Sequence, residues 1–203
     1  PMYHIFMANY VSLLLNSGFM AESIEFTHLA EGAVEAAKWF AMPNGNILPF
    51  GDTPKIPIKD RANFELNVVR DAAVSPPGLK YFKKGGLVIH SHYSESEMPQ
   101  SYLAFNGGFH SRQHKHADDF NIQLFDNGVD ILVDPGTFTY QYDLPERMYI
   151  ESTRAHNCLE IDGLNYSRFR KDAFGSAITS VTEVGDCLMI EAEVERKRLV
   201  SPQ

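Results

Sequence analysis

The chain of 203 residues is 44% hydrophobic, 22% charged and 12% aromatic, the profile of a folded globular protein rather than a disordered or fibrous one. Lys and Arg number 18 against 26 Asp and Glu, a formal charge of -8, so no basic field exists to neutralise a phosphate backbone and nucleic acid is not an expected partner. The longest apolar stretch near the start, residues 5–15, is interrupted by Asn9, Tyr10 and Ser12 and falls short of the roughly 20 apolar residues that a membrane span needs.

From Met2 to Met42 the apolar residues recur at helical spacing, with Ile5, Tyr10, Leu13 and Leu14 in one set and Ile24, Phe26, Leu29, Ala33, Ala36, Ala37 and Phe40 in a second. This predicts two helices parted by Asn16-Ser17-Gly18, the second starting near Glu22-Ser23. A hairpin of two such helices cannot bury both its faces and must pack on further chain. Pro43, Pro49, Pro54 and Pro57 then forbid long regular structure and mark a linker, with a short helix expected over 61–73.

Beyond Leu79 the period changes to two, and strands are expected over 87–92, 101–106, 120–125, 129–133, 157–161, 177–184 and 187–194. Asp126-Asn127-Gly128 joins two of them as a hairpin, since Asn and Gly tolerate the positive φ that short hairpins require. Helices followed by antiparallel strands give an α+β class, a helical part and then a β-sandwich. Cys158 and Cys187 lack a CxxC spacing; a disulfide is open, and two buried thiols are the simpler reading. The start at Pro1 and the end at Ser201-Pro202-Gln203, just after a strand-like run, suggest a segment of a longer protein whose signal peptide would lie outside it.

The densest polar cluster is Phe109-His110-Ser111-Arg112-Gln113-His114-Lys115-His116-Ala117-Asp118-Asp119. In an extended segment alternate residues share a face, so His114 and His116 would point the same way, an HxH pattern that metal sites use. Alone the pattern is weak, because histidines ahead of a strand are more often solvated than coordinating. Asp134, ending a hydrophobic strand before Pro135-Gly136, is returned by the hairpin towards His116, and His156 opens the run Ala155-His156-Asn157. Two imidazoles and a carboxylate suit Zn²⁺. Taken singly, Asp134 reads as a turn-capping aspartate and His156 as a satisfied core histidine.

The ordered set His114-Lys115-His116-Ala117-Asp118, the strand ending Asp134-Pro135-Gly136, then Tyr140, Arg147, Tyr149 and Ser152-Thr153-Arg154-Ala155-His156-Asn157 with Ile161-Asp162-Gly163 resembles the heparinase II/III-like polysaccharide lyases over roughly residues 79–163. Pro1-Met2-Tyr3-His4 is similar to the opening of a last toroid helix in that family, and Leu48-Pro49-Phe50-Gly51-Asp52 to its connector into the β-domain. The resemblance implies the end of an (α/α) toroid and linker over 1–60, an antiparallel β-sandwich over 61–203, and a substrate cleft between them. It further implies His116, Asp134 and His156 as zinc ligands, with the zinc structural, and Tyr3 and His114 as catalytic residues. Arg112 and Arg154 would help hold an acidic chain.

The implied reaction is β-elimination in a uronic-acid-containing glycan of the glycosaminoglycan or alginate class, by a secreted or periplasmic enzyme. It removes the C5 proton and expels the glycosidic oxygen from C4, so the site must neutralise a carboxylate and supply both base and acid. The acidic balance argues against a highly sulfated substrate, and the segment alone is expected to lack turnover. Two other readings compete: a non-catalytic, zinc-stabilised β-sandwich that binds carbohydrate or serves as a structural module, and a zinc hydrolase with Asp118 or Asp119 as base. Tyr140, Tyr142, Tyr149, Tyr166 and Phe169 are aromatic side chains of the kind that stack on sugars, although most aromatics in a sandwich are core or rim. The basic run 168–171 reads more simply as a solvated loop.

Overall fold

A computed structural model describes residues 1–55, 57, 74–94, 99–109, 113–166, 175–195 and 199–200. The helix expected over 61–73, Arg112 and the run 168–171 that includes Phe169 lie outside them.

Two helices open the chain, α1 (Met2–Asn16) and α2 (Ile24–Lys38). Helix α1 stops where Ser17-Gly18 closes its last turn, and α2 starts at Ser23, whose hydroxyl accepts from the Phe26 amide at 3.3 Å. Glu25 in the first turn and Lys38 in the last complement the helix dipole. Only part of each helix is covered: α1 buries Met2, Ile5, Ala8 and Asn9 while Met7, Tyr10, Leu13 and Leu14 stay exposed.

The next elements are β1 (Gly78–Phe82), β2 (Leu87–Tyr93), β3 (Pro99–Asn106), β4 (Asn121–Asp126) and β5 (Val129–Leu132), which form one antiparallel five-stranded sheet in chain order. Asn127 and Gly128, both at positive φ, make the β4–β5 turn that their residue types foretell. The register sets Ile89 beside Ala104 and Tyr102 beside Phe125, so these side chains share one face. That face forms a single hydrophobic core with Met2, Ile5, Trp39, Phe40, Met42, Ile47 and Leu48. The Tyr102 hydroxyl donates to the Trp39 carbonyl at 2.9 Å inside this core, satisfying a group that would be costly to bury alone.

A 7-residue helix α3 (Pro145–Glu151) with Pro at its first turn runs into a single 3-10 turn, Thr153–Ala155. Short strands β6 (Asn165–Tyr166) and β9 (Leu199–Val200) pair, as do β7 (Ile178–Val184) and β8 (Cys187–Ala192). Strand β7 meets the other face of the large sheet: Tyr81 Oη donates to the Ile178 carbonyl at 3.3 Å, and His90 Nε2 lies 3.9 Å from Glu183. Antiparallel sheets with few helices are the architecture, in line with the α+β expectation.

Three local expectations need correction. Residues 157–161 form no strand, because Asn157 bonds the start of β4 through Asn121 and Ile122 and the chain then turns at Asp162-Gly163. Residues 153–155 form a helical turn rather than leading into a strand. Cys158 and Cys187 are both free thiols, but Cys187 is exposed on β8. Among the described residues no helix is long and apolar enough to cross a membrane.

Candidate functional site

The site is assembled by the connector Gly51-Asp52-Thr53, which lies between the loop carrying His114 and the segment after β5. The Asp52 amide donates to the His114 carbonyl at 3.3 Å, the Thr137 amide donates to the Thr53 carbonyl at 3.2 Å, and the Met2 amide donates to Thr53 Oγ1 at 3.3 Å. A Cβ on Gly51 would sit 2.6 Å from the His114 carbonyl oxygen, and Gly51 has φ +60, so glycine is required twice over.

Asp52, its side chain fully buried, is the hub. His116 Nε2 and Arg147 Nη1 donate to Oδ1 at 3.0 and 2.6 Å, and His114 Nδ1 donates to Oδ2 at 2.8 Å. Burial opposes the charge on Asp52, but the bonds from His116, Arg147 and His114 outweigh it and hold the carboxyl well below the usual carboxylate range. Arg147, itself buried, spends its other nitrogen on Glu151 at 2.6 Å, and Thr137 Oγ1 accepts from Nη1 at 3.0 Å. Since a carboxylate only accepts, the proton of the neutral His114 ring sits on Nδ1, which leaves Nε2 as its accepting nitrogen.

His114 and His116 do not share a strand face. His114 has φ +58, the left-handed region, and its side chain is 39% exposed, whereas His116 is fully buried. The two imidazoles converge on one carboxylate from different sides. In front of His114 stands Tyr3, rings 4.4 Å apart, and the Tyr3 and Tyr140 hydroxyls are 3.1 Å apart. The Tyr140 ring meets His114 edge-on at 6.0 Å, and the Arg147 guanidinium lies 5.6 Å from the Tyr140 ring and 5.2 Å from that of Tyr142. Tyr3 and His114 open on a cavity of about 460 Å³ that Phe40, Phe50, Phe82 and Leu87 also line.

Behind the cleft is a buried pair. His156 Nδ1 donates to Asp134 Oδ2 at 2.8 Å, and Asp134 is fixed further by the Gly136 amide at 2.7 Å and by Asn121 Nδ2. Burial lowers the His156 pKa, but Asp134 outweighs it and the net direction is up. The His116 and His156 ring centres are 5.3 Å apart, and His116 Nδ1 and His156 Nε2 are buried without a partner among the described residues. Two imidazoles on one tetrahedral zinc, each bonded at about 2.0–2.1 Å, place their ring centres about 5 Å apart. The donor set fits zinc at these two nitrogens, while Asp134 is held against His156 Nδ1. Among the described residues no group of three or more His, Cys, Asp or Glu is gathered as a metal site.

Beside this pair, Lys115 Nζ is buried against Asp118 and lies 2.9 Å from Asp119. Burial works against the Asp118 charge, yet Lys115 pulls its pKa down to about 2. These acids are engaged by a lysine and are not poised as a base. Arg154 is largely exposed and paired with Glu160 at 2.8 Å. Of the residues singled out in the sequence, Tyr3 and His114 are brought together, and His156 meets His116 on one side and Asp134 on the other. Asp52, Arg147 and Tyr140 complete the cluster. The sequence showed Asp52 only as part of a connector, and its one signal was Gly51 immediately before it.

Comparison with known proteins bears on the fold and the family. Residues 74–196 match the family model "Heparinase II/III-like, C-terminal". Among solved structures, a heparinase III is similar with a TM-score of 0.68 at 16% identity, over 93% of this chain and 32% of that one. Heparan sulfate lyase HepC from Pedobacter heparinus is similar with a TM-score of 0.65 at 17% identity, over 82% of this chain and 30% of that one. The chain thus spans about a third of the length of these structures. No curated protein matches it in sequence. A β-domain with this topology, matched over most of its length by one family model, makes the chain a member of the heparinase II/III-like family.

Proposed function

We propose that this chain forms part of a polysaccharide lyase that cleaves a uronic-acid-containing glycan by β-elimination. The observation that carries the proposal is the Tyr3–His114 contact at 4.4 Å on the rim of a cavity, with His114 anchored by buried Asp52. In this reading residues 1–60 are the end of a helical toroid and its linker, residues 61–203 are the β-sandwich, and the cleft lies between them. The solved relatives include a heparan sulfate lyase, which supports an acidic glycosaminoglycan as substrate, and a secreted or periplasmic setting follows from where such polymers occur.

Tyr3 Oη takes the C5 proton of the uronate and then returns it to the glycosidic oxygen leaving C4, so one phenol serves as base and acid. The C5–H and C4–O bonds break, the C4–C5 double bond forms, and the proton ends on the departing hydroxyl. His114, turned by Asp52 so that Nε2 faces away from that carboxylate, binds the sugar beside Tyr3 through this nitrogen. Arg154 and Arg112 are assigned to the acidic chain outside the reacting sugar.

His116 and His156 would hold a zinc ion through their orphaned nitrogens, with Asp134 as the third ligand once it turns an oxygen from His156. When bound, the ion would cross-link the loop before β4 to the segment after α3 beside the cleft, a structural service, since elimination consumes no water.

The test uses the full-length protein that carries this sequence, with heparan sulfate, an unsulfated glucuronate–glucosamine polymer and alginate offered separately. The expected result is an unsaturated product, seen by ultraviolet absorbance, from at least one polymer, and its loss in Tyr3→Phe. Absence of unsaturated product from all three, with glycan binding retained, would replace the lyase reading by a carbohydrate-binding module.

A further inference from the structure

Tyr140 has no place in the steps above, although it touches both Tyr3 and His114, which do. Its hydroxyl is 3.1 Å from Tyr3 Oη, its ring edge meets His114, and the Arg147 guanidinium lies over its face. A tyrosine that takes a proton must first have lost its own, and a phenol titrates near 10 in water. Some group must therefore donate to Tyr3 Oη. His114 lies against the Tyr3 ring and bonds Asp52 through Nδ1, and its contact with Tyr3 is ring to ring. The Tyr3 hydroxyl instead shares a hydrogen bond with the Tyr140 hydroxyl.

We infer that Tyr140 is a positioning residue of the elimination: its hydroxyl donates to Tyr3 Oη, keeps that oxygen aimed into the cleft, and stabilises it while it carries negative charge. The inference rests on the lyase reading above.

Tyr3 is the base in the lyase reading, so the donor of the pair is Tyr140. Burial, the bond to Tyr3 and the nearby Asp52 charge all raise the Tyr140 pKa, with Arg147 opposing, which suits a hydroxyl that keeps its proton. The Tyr140 proton is not consumed. It is shared with Tyr3 while Tyr3 is anionic, and the bond slackens when the C5 proton arrives, so the stoichiometry of the reaction is unchanged. Arg147 lies between the Tyr140 and Tyr142 rings and is bonded to Asp52 and Glu151, which fixes the Tyr140 ring from below. A donor fixed this way needs no reorganisation as charge develops, the condition under which such bonds contribute most to rate.

The test is Tyr140→Phe in the full-length enzyme, assayed on whichever polymer the parent cleaves, beside Tyr3→Phe and the double variant. Phenylalanine keeps the ring contacts with His114 and Arg147 and removes only the hydroxyl. The expected result is a fall in kcat on the order of 100-fold with KM within about threefold, at unchanged melting temperature. The double variant should be no slower than Tyr3→Phe, because the hydroxyl acts only through Tyr3. Wild-type kcat in Tyr140→Phe, or a loss that adds in full to that of Tyr3→Phe, would overturn the inference while leaving the lyase reading intact. A parent that releases no unsaturated product overturns both.

Discussion

Asp52 and His114 are joined twice, once by the side chains, Oδ2 to Nδ1 at 2.8 Å, and once by the backbone, where the Asp52 amide donates to the His114 carbonyl at 3.3 Å. The imidazole is thereby fixed at both ends of its residue, although His114 occupies a backbone region that side chains other than glycine seldom adopt. The second link is what makes that conformation tenable.

Asp52→Ala should be among the most damaging single changes in the chain. It strips a buried guanidinium and two imidazoles of their common acceptor, and an uncompensated buried charge costs about 3–5 kcal/mol. Denaturant unfolding of Asp52→Ala against the parent measures this directly. Asp52→Asn, which keeps the volume and one accepting oxygen, should lose less.

Acid should unfold the protein through the same carboxylate. The folded Asp52 pKa is depressed, so its contribution to stability is complete above the unfolded carboxylate value of about 4 and is lost as pH falls towards the folded value. Asp118, held at about 2 by Lys115, acts in the same direction. Urea midpoints should be flat from neutrality down to about pH 5 and drop below about pH 4, with a shallower drop in Asp52→Asn.

Gly51→Ala should cost about 3 kcal/mol, combining a positive φ with a Cβ placed 2.6 Å from the His114 carbonyl oxygen. Gly18→Ala is the matched control: its φ is also positive, at +85, but nothing lies within 4 Å of the new methyl, so only the backbone cost of about 1 kcal/mol applies. Melting temperatures of the two variants separate conformational strain from collision.

Zinc content gives a fourth check. The purified protein should carry near-stoichiometric zinc, lose it in His116→Ala and in His156→Ala, and melt at lower temperature after chelation. Retention should fall with acidification, because ligating imidazoles must be neutral. Parent protein that binds no zinc and is indifferent to chelators would show the two orphaned nitrogens to be served otherwise.

What could be read from the sequence was whatever neighbours in the chain determine. Gly18 and Ser23 bounded the helices, Asn127-Gly128 fixed the hairpin, and the alternation in β2 to β5 gave the sheet. The hairpin also returned Asp134 to the start of β4, where Asn121 and His156 now hold it. The misreadings share a cause, which is contact between distant segments. Alternation placed His114 and His116 on one face, but the pull of Asp52 on both rings and the bond to the His114 carbonyl give His114 a left-handed backbone instead. Residues 157–161 have a strand's composition, but Asn157 spends its polar groups on the start of β4. Asp52 after a glycine is an ordinary turn in any local window, and only the folded chain sets two histidines and Arg147 around it. In the sequence Arg147 is one member of an ordered motif, and nothing local marks it for burial against that carboxylate and two tyrosine rings.

The bond from the Met2 amide to Thr53 puts the helix that carries Tyr3 and the connector that carries Asp52 on a common mount. Tyr3 and His114 are far apart in the chain, yet both segments are bonded to the same three consecutive residues, 51–53, as well as resting on the shared core. A rigid tilt of the helices would drag the connector, and with it His114, in the same direction, so the gap between the two rings would change less than either position. Alignment of the cleft therefore rests on the connector as well as on the core that seats the helices against the sheet.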